Sequence, residues 1–154
     1  MMAPGAARSD RTPWRQRWGG RFLVLEAMTT LSIAALALRL LPFRHVARLM
    51  IGKAGPADAP IPRDLEVPQP IIARHVAGAV TRASSLLPFP TLCLPQAMAA
   101  RIMLGNRGHA TVLHLSVQLG TGVDPSAHAW LTLNGQAVIG GGAPAGQVEV
   151  ARFI

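Results

Sequence analysis

Asn134-Gly135 sits between two short runs, Ala127 to Leu133 and Gln136 to Ile139, and this dipeptide constrains the fold more tightly than any other in the chain. Both central positions of a type I′ turn need positive φ, which Asn and Gly tolerate, so the runs are expected to pair as an antiparallel hairpin. A two-residue loop also sets the register. Leu133 then faces Gln136, and counting outward places Ala129 opposite Gly140 and His128 opposite Gly141. Upstream, Thr111 to Leu119 alternates as a strand should, and Val148 to Phe153 suits a short closing strand. Gly120 to Ser126 and Gly140 to Gly146 are expected loops.

The residues before this sheet have helical character. Phe22 to Leu41 is almost wholly apolar, with Glu26 and Arg39 its only charges, and its Leu, Ala and Met content favours helix. Pro42 stops or kinks it, and a second, amphipathic helix follows with Phe43, Val46, Ala47 and Met50 on one face and Arg44 and Arg48 on another. Gly52 to Pro70 carries five prolines and reads as linker. Ile71 to Leu87 predicts a helix whose stripe, Ile72, His75, Val76 and Ala79, makes His75 a packed core histidine. Pro88 and Pro90 end it and impose an extended approach to Cys93. Pro95 to Leu104 predicts a further helix, with Pro95 in the first turn, where its missing donor is unneeded, and Gly105-Asn106-Arg107-Gly108 as the closing turn. The expected organisation is α+β: a mobile basic tail over 1–20, a helical hairpin over 21–53, a Pro-rich linker over 54–70 and a core over 71–154.

A chain of 154 residues supports one hydrophobic core. Half of its residues are hydrophobic and 14% are charged, so some apolar surface is expected to meet a membrane or a partner. The net charge of +8 is concentrated: residues 1–53 hold nine basic residues against Asp10 and Glu26, and the remainder holds six arginines against five acids. No nucleic-acid-binding pattern accompanies those bases, so an anionic membrane surface or an acidic partner fits them better than nucleic acid. The apolar run over 22–41 is long enough to span a bilayer but contains Glu26, Thr29, Thr30 and Ser32; a helix packed on the domain or lying on a membrane needs fewer concessions. A cleaved signal peptide is disfavoured because the run continues into Leu40-Leu41-Pro42-Phe43-Arg44. With a single cysteine no intramolecular disulfide forms, which suits a cytoplasmic protein, membrane-associated or not.

Cys93 is that cysteine, at or just before a helix start. The positive end of a helix and a nearby imidazolium both favour thiolate, and His128, on the strand His128-Ala129-Trp130, can provide the second. Amides at the helix start would face a developing oxyanion. No metal site is expected, because the chain contains neither C-x-x-C nor H-E-x-x-H and His109 and His114 lie five apart on a turn and strand; no cofactor motif is present either.

The ordered set of Leu40-Leu41-Pro42-Phe43-Arg44-His45-Val46-Ala47-Arg48-Leu49, Cys93-Leu94 with its Ala-rich helix and Gly108, then Ala127-His128-Ala129-Trp130 with Asn134-Gly135, resembles transglutaminase-like cysteine proteases. More narrowly, it resembles the stand-alone B proteins of lasso peptide biosynthesis. The resemblance implies a peptidase that removes the leader of a ribosomally made precursor, with Cys93 as nucleophile and His128 as general base and acid. It implies as partners the leader peptide, a leader-recognition protein and an ATP-dependent macrocyclase. Family members often carry an Asp on the strand after the His strand, accepting the Nδ1 proton of the imidazole; the matching position is Gly140. A backbone carbonyl near Gly140, the Gln118 amide or Asp124 are the candidates to replace it. The alternative role is a non-catalytic scaffold joining a precursor-binding partner to a cyclase at the membrane.

Overall fold

The computed structural model describes residues 13–52, 54–55, 69–118, 126–142 and 144–154. Four helices precede most of a five-stranded antiparallel sheet: α1 Pro13–Leu40, α2 Phe43–Val46 continued by a π-helical turn Ala47–Ile51, β1 Ala54–Gly55, α3 Ile71–Leu86, α4 Cys93–Gly105, β2 Val112–Gln118, β3 Ala127–Leu133, β4 Gln136–Ile139 and β5 Gln147–Phe153. The strand order is β1-β5-β2-β3-β4. The α+β architecture is therefore as expected. Two boundaries differ: α1 begins at Pro13, inside the expected tail, and Ala54–Gly55, at the start of the expected linker, pairs with Phe153 and Arg152 as an edge strand.

Helix α4 holds the fold together. Ala97, Met98, Ala99, Ala100, Met103 and Leu104 are all fully buried, so it is apolar nearly all round, as a helix enclosed by other elements must be. It packs against α1 and α3 on one side and chiefly against β3 on the other. Arg101 ties its later part to the sheet by donating to the carbonyls of Thr111 and Phe153. Arg107 caps its end by donating to Met103 O at 2.7 Å and forms a two-pronged bond with the Glu26 carboxylate of α1.

The amino-terminal segment is no separate appendage to that core. Ala27, Leu31 and Ala34, at i, i+4 and i+7, are fully buried and belong to the same cluster as the α3, α4 and sheet residues. On α3 the buried residues are Ala73, Val76, Ala79, Val80 and Ala83, and His75 is exposed, so the expectation of a packed core histidine is corrected. The buried stripe is rotated from the expected one and runs through Ala73 and Ala83, which are fully buried.

Alternation divides the sheet. Leu113, Ala129, Leu131, Leu133 and Phe153 join the helix-side core, whereas His114, Ser116, His128, Trp130 and Thr132 have the opposite parity and are paired His114 with Trp130 and Ser116 with His128. Asn134 at φ 52° and Gly135 at φ 74° make the expected tight turn. The register beyond it departs from simple counting. Leu133 pairs Gln136 and Thr132 pairs Ala137, but Leu131 pairs Ile139, leaving Val138 as a one-residue bulge.

Candidate active site

Cys93 is the first residue of α4. Leu92 before it is extended at φ −71° and ψ 173°, and the Gln96 side chain donates to Thr91 O at 2.8 Å, pinning the approach that Pro88 and Pro90 begin. Residues in the first turn of a helix have no acceptor within the helix, and Pro95 has no donor, so the Cys93 and Leu94 amides constitute the positive end of α4. No acidic residue occupies that first turn to neutralise it. The thiol is half-buried and packs against the helix-side core.

His128 is half-buried near the start of β3, and its ring Nε2 lies 2.7 Å from Gly140 O. A carbonyl only accepts, so Nε2 donates and carries the proton of this contact, and in the neutral ring Nδ1 is the nitrogen with the lone pair. The orienting contact thus falls on the ring nitrogen opposite to the one expected. Of the three candidate replacements, Gln118 instead accepts from Ser126 Oγ at 2.9 Å, and Asp124 lies outside the described residues. Gly140 itself could not carry a carboxylate. Its φ is +88°, and a Cβ there would stand 2.7 Å from Ala129 O and 2.8 Å from Trp130 Cα. The Val138 bulge brings the Gly140 backbone against β3, so the main chain supplies the acceptor.

Trp130 holds the other side of this arrangement. Its ring stacks on His114 at a centroid distance of 4.9 Å and 3° between planes, and His128 lies 6.0 Å from it at 18°. His114, 3% exposed, contacts Glu149 Oε1 through Nδ1 at 2.7 Å and Thr132 Oγ1 through Nε2 at 2.9 Å. Arg152 donates to both oxygens of Glu149. Burial pushes the Glu149 carboxyl up, but the hydrogen bonds from Arg152 and His114 outweigh it and hold the group below its ordinary range.

Sequence reasoning missed this network. In a regular strand residues three apart face opposite sides, and only the irregularity on β5, where Leu115 pairs Ala151 but Ser116 pairs Glu149, lets Glu149 and Arg152 share a face. The partial signal available was the common parity of His114, Trp130 and Thr132 across a predicted strand pair.

Cys93 and His128 are not hydrogen-bonded to each other. The thiol packs with the helix-side residues, while His128 has the parity of Trp130. Among the described residues no hydrogen bond reaches the Cys93 sulfur. Chemically the site offers a thiol at the positive end of a helix and an imidazole held in one tautomer with a basic nitrogen available. Among the described residues no three His, Cys, Asp or Glu side chains are grouped to hold a metal ion.

Comparison with known families matches residues 27–152 to the family described as the Transglutaminase-like superfamily. No curated protein and no solved structure gives a significant match.

Proposed function

The chain belongs to the transglutaminase-like superfamily, and on that premise we propose that it is a cysteine peptidase that removes the leader from a ribosomally synthesised lasso precursor. In this reading Cys93 is the nucleophile and His128 the general base and acid. The observations that support it are a cysteine at the first position of α4 and a histidine whose Nε2 donates to Gly140 O, which leaves Nδ1 of the neutral ring to accept the thiol proton. Sulfur attacks the scissile carbonyl, the oxyanion meets the amides of the helix start, His128 delivers its proton to the leaving amine, and water then hydrolyses the thioester. The reading requires substrate binding to bring the thiol and the imidazole within hydrogen-bonding reach, as catalytic hydrogen bonds often form only in the complex.

The delivery of substrate by a leader-recognition protein and transfer of product to an ATP-dependent macrocyclase follow from the resemblance of the ordered motifs to lasso B proteins. A reconstituted reaction with precursor and leader-binding protein, followed by mass spectrometry, tests the reading. Cys93→Ala is expected to abolish leader release, and His128→Ala to reduce it by roughly 10²-fold or more. Unchanged release by Cys93→Ala would overturn the peptidase.

A non-catalytic scaffold is the second reading, favoured by the missing thiol–imidazole hydrogen bond and by a main-chain acceptor where a carboxylate was expected. It predicts that Cys93→Ala leaves macrocycle formation unaffected when another peptidase supplies the cleaved core.

A further inference from the structure

We infer that the outer face of α1, with the turn into α2, rests on an anionic bilayer surface. Opposite the buried Ala27, Leu31 and Ala34, the helix exposes Phe22, Leu25, Ile33, Leu36 and Leu40, with exposures of 66%, 59%, 52%, 56% and 71%. Thr29 occupies the remaining position of this row, and its hydroxyl donates to Leu25 O at 3.0 Å, which removes its donor from the surface. Steps of three and four residues keep these side chains on one stripe, roughly 27 Å long at 1.5 Å per residue.

Charge selects the occupant. Exposed Arg39, Arg44 and Arg48 flank the carboxyl-terminal end of the stripe, where Leu41, Phe43 and Leu49 are also exposed. The acid of α1, Glu26, borders this face but is committed to Arg107. Among the described residues of α1 and α2, a second copy seated on the stripe would bring no carboxylate that is not already paired with Arg107. An anionic headgroup layer neutralises them while the acyl boundary takes the apolar stripe. A transmembrane path also meets the length requirement, since Gly19–Leu40 is apolar and long enough to cross. It would strip Ala27, Leu31 and Ala34 from the core and break the Glu26–Arg107 pair. The surface orientation keeps both faces satisfied and does not rest on the peptidase reading.

Flotation of the full-length protein with vesicles of phosphatidylcholine, with and without about one-third phosphatidylglycerol, tests this. Binding to the anionic vesicles is expected, at least tenfold stronger than to neutral ones, and lost when salt is raised to about 1 M. Arg39→Gln/Arg44→Gln/Arg48→Gln should weaken it by roughly a hundredfold, taking about fivefold per arginine. Leu25→Glu/Ile33→Glu/Leu36→Glu should abolish it with an unchanged circular dichroism spectrum, because all three positions are solvent-exposed. Absence of binding to anionic vesicles, binding indifferent to both sets of substitutions, a dimer in solution abolished by the glutamate variant, or retention in the membrane after carbonate extraction would each overturn the proposal.

Discussion

At the scale of single residues, the chemistry turns on Gly140. The sequence resemblance implies an acid at the position that is Gly140 here, and a positive φ, with Ala129 O only 2.7 Å from where a Cβ would stand, leaves no room for a side chain. The carbonyl of the same residue takes over the role. Gly140→Ala should therefore cost about 1–3 kcal/mol of stability and displace His128, measured by urea unfolding and, on the proposed function, by the rate of leader release. Gly140→Asp should be worse still and should not enhance catalysis; a more active Gly140→Asp enzyme would contradict the geometry. Long-range 1H–15N spectra of the imidazoles offer a direct test, with His128 expected as the Nε2–H tautomer. A dominant Nδ1–H form would mean that the Gly140 contact does not exist in solution.

At the scale of elements, the two faces of α1 have different tasks and should respond differently to mutation. Leu31 is fully buried against the other helices, so Leu31→Ala should destabilise by about 2–5 kcal/mol. Leu36, on the outer stripe, should change stability by no more than about 0.5 kcal/mol when replaced by alanine. Equilibrium denaturation of the two variants distinguishes this assignment from a loosely attached helix, in which neither substitution would matter. The β3–β4 hairpin shows the limit of local inference. Its turn and both strand ranges were legible because Asn-Gly chemistry and alternation are local, while the Val138 bulge was not, because it depends on how the Gly140 segment closes onto β3. The exposure of His75 has the same origin, since helix rotation is decided by the partner surface and not by the helix's own hydrophobicity.

At the scale of the whole molecule, ion pairs join segments distant in sequence and impose a pH dependence. Glu149 is linked to His114 and Arg152 across β5 and β2, and Glu26 joins α1 to the turn after α4. The hydrogen bond from Arg107, against a smaller desolvation effect, holds the Glu26 carboxyl below its ordinary value, and Glu149 is also held low. A carboxyl depressed in the folded state contributes its full stability above the unfolded pKa of about 4.3 and loses it as pH falls through the lower folded value. Stability should therefore fall below about pH 4, and Glu149→Gln should flatten that acid limb while lowering stability at neutral pH. An acid limb identical in the variant would show that the network carries no linkage.

The chain's residues by themselves determined the local pieces: a hairpin from Asn134-Gly135, a cysteine at a helix start behind two prolines, a histidine on the adjoining strand, and a basic apolar segment at the amino-terminal end. Only the tertiary structure decided that α1 belongs to the core, that His128 leans on a carbonyl and stacks against Trp130, and that His114, Glu149, Thr132 and Arg152 form one network. The physical reason is range. Turn chemistry, capping and alternation depend on neighbours a few residues apart, whereas bulges, helix rotation and strand faces are settled by close packing between segments far apart in the chain.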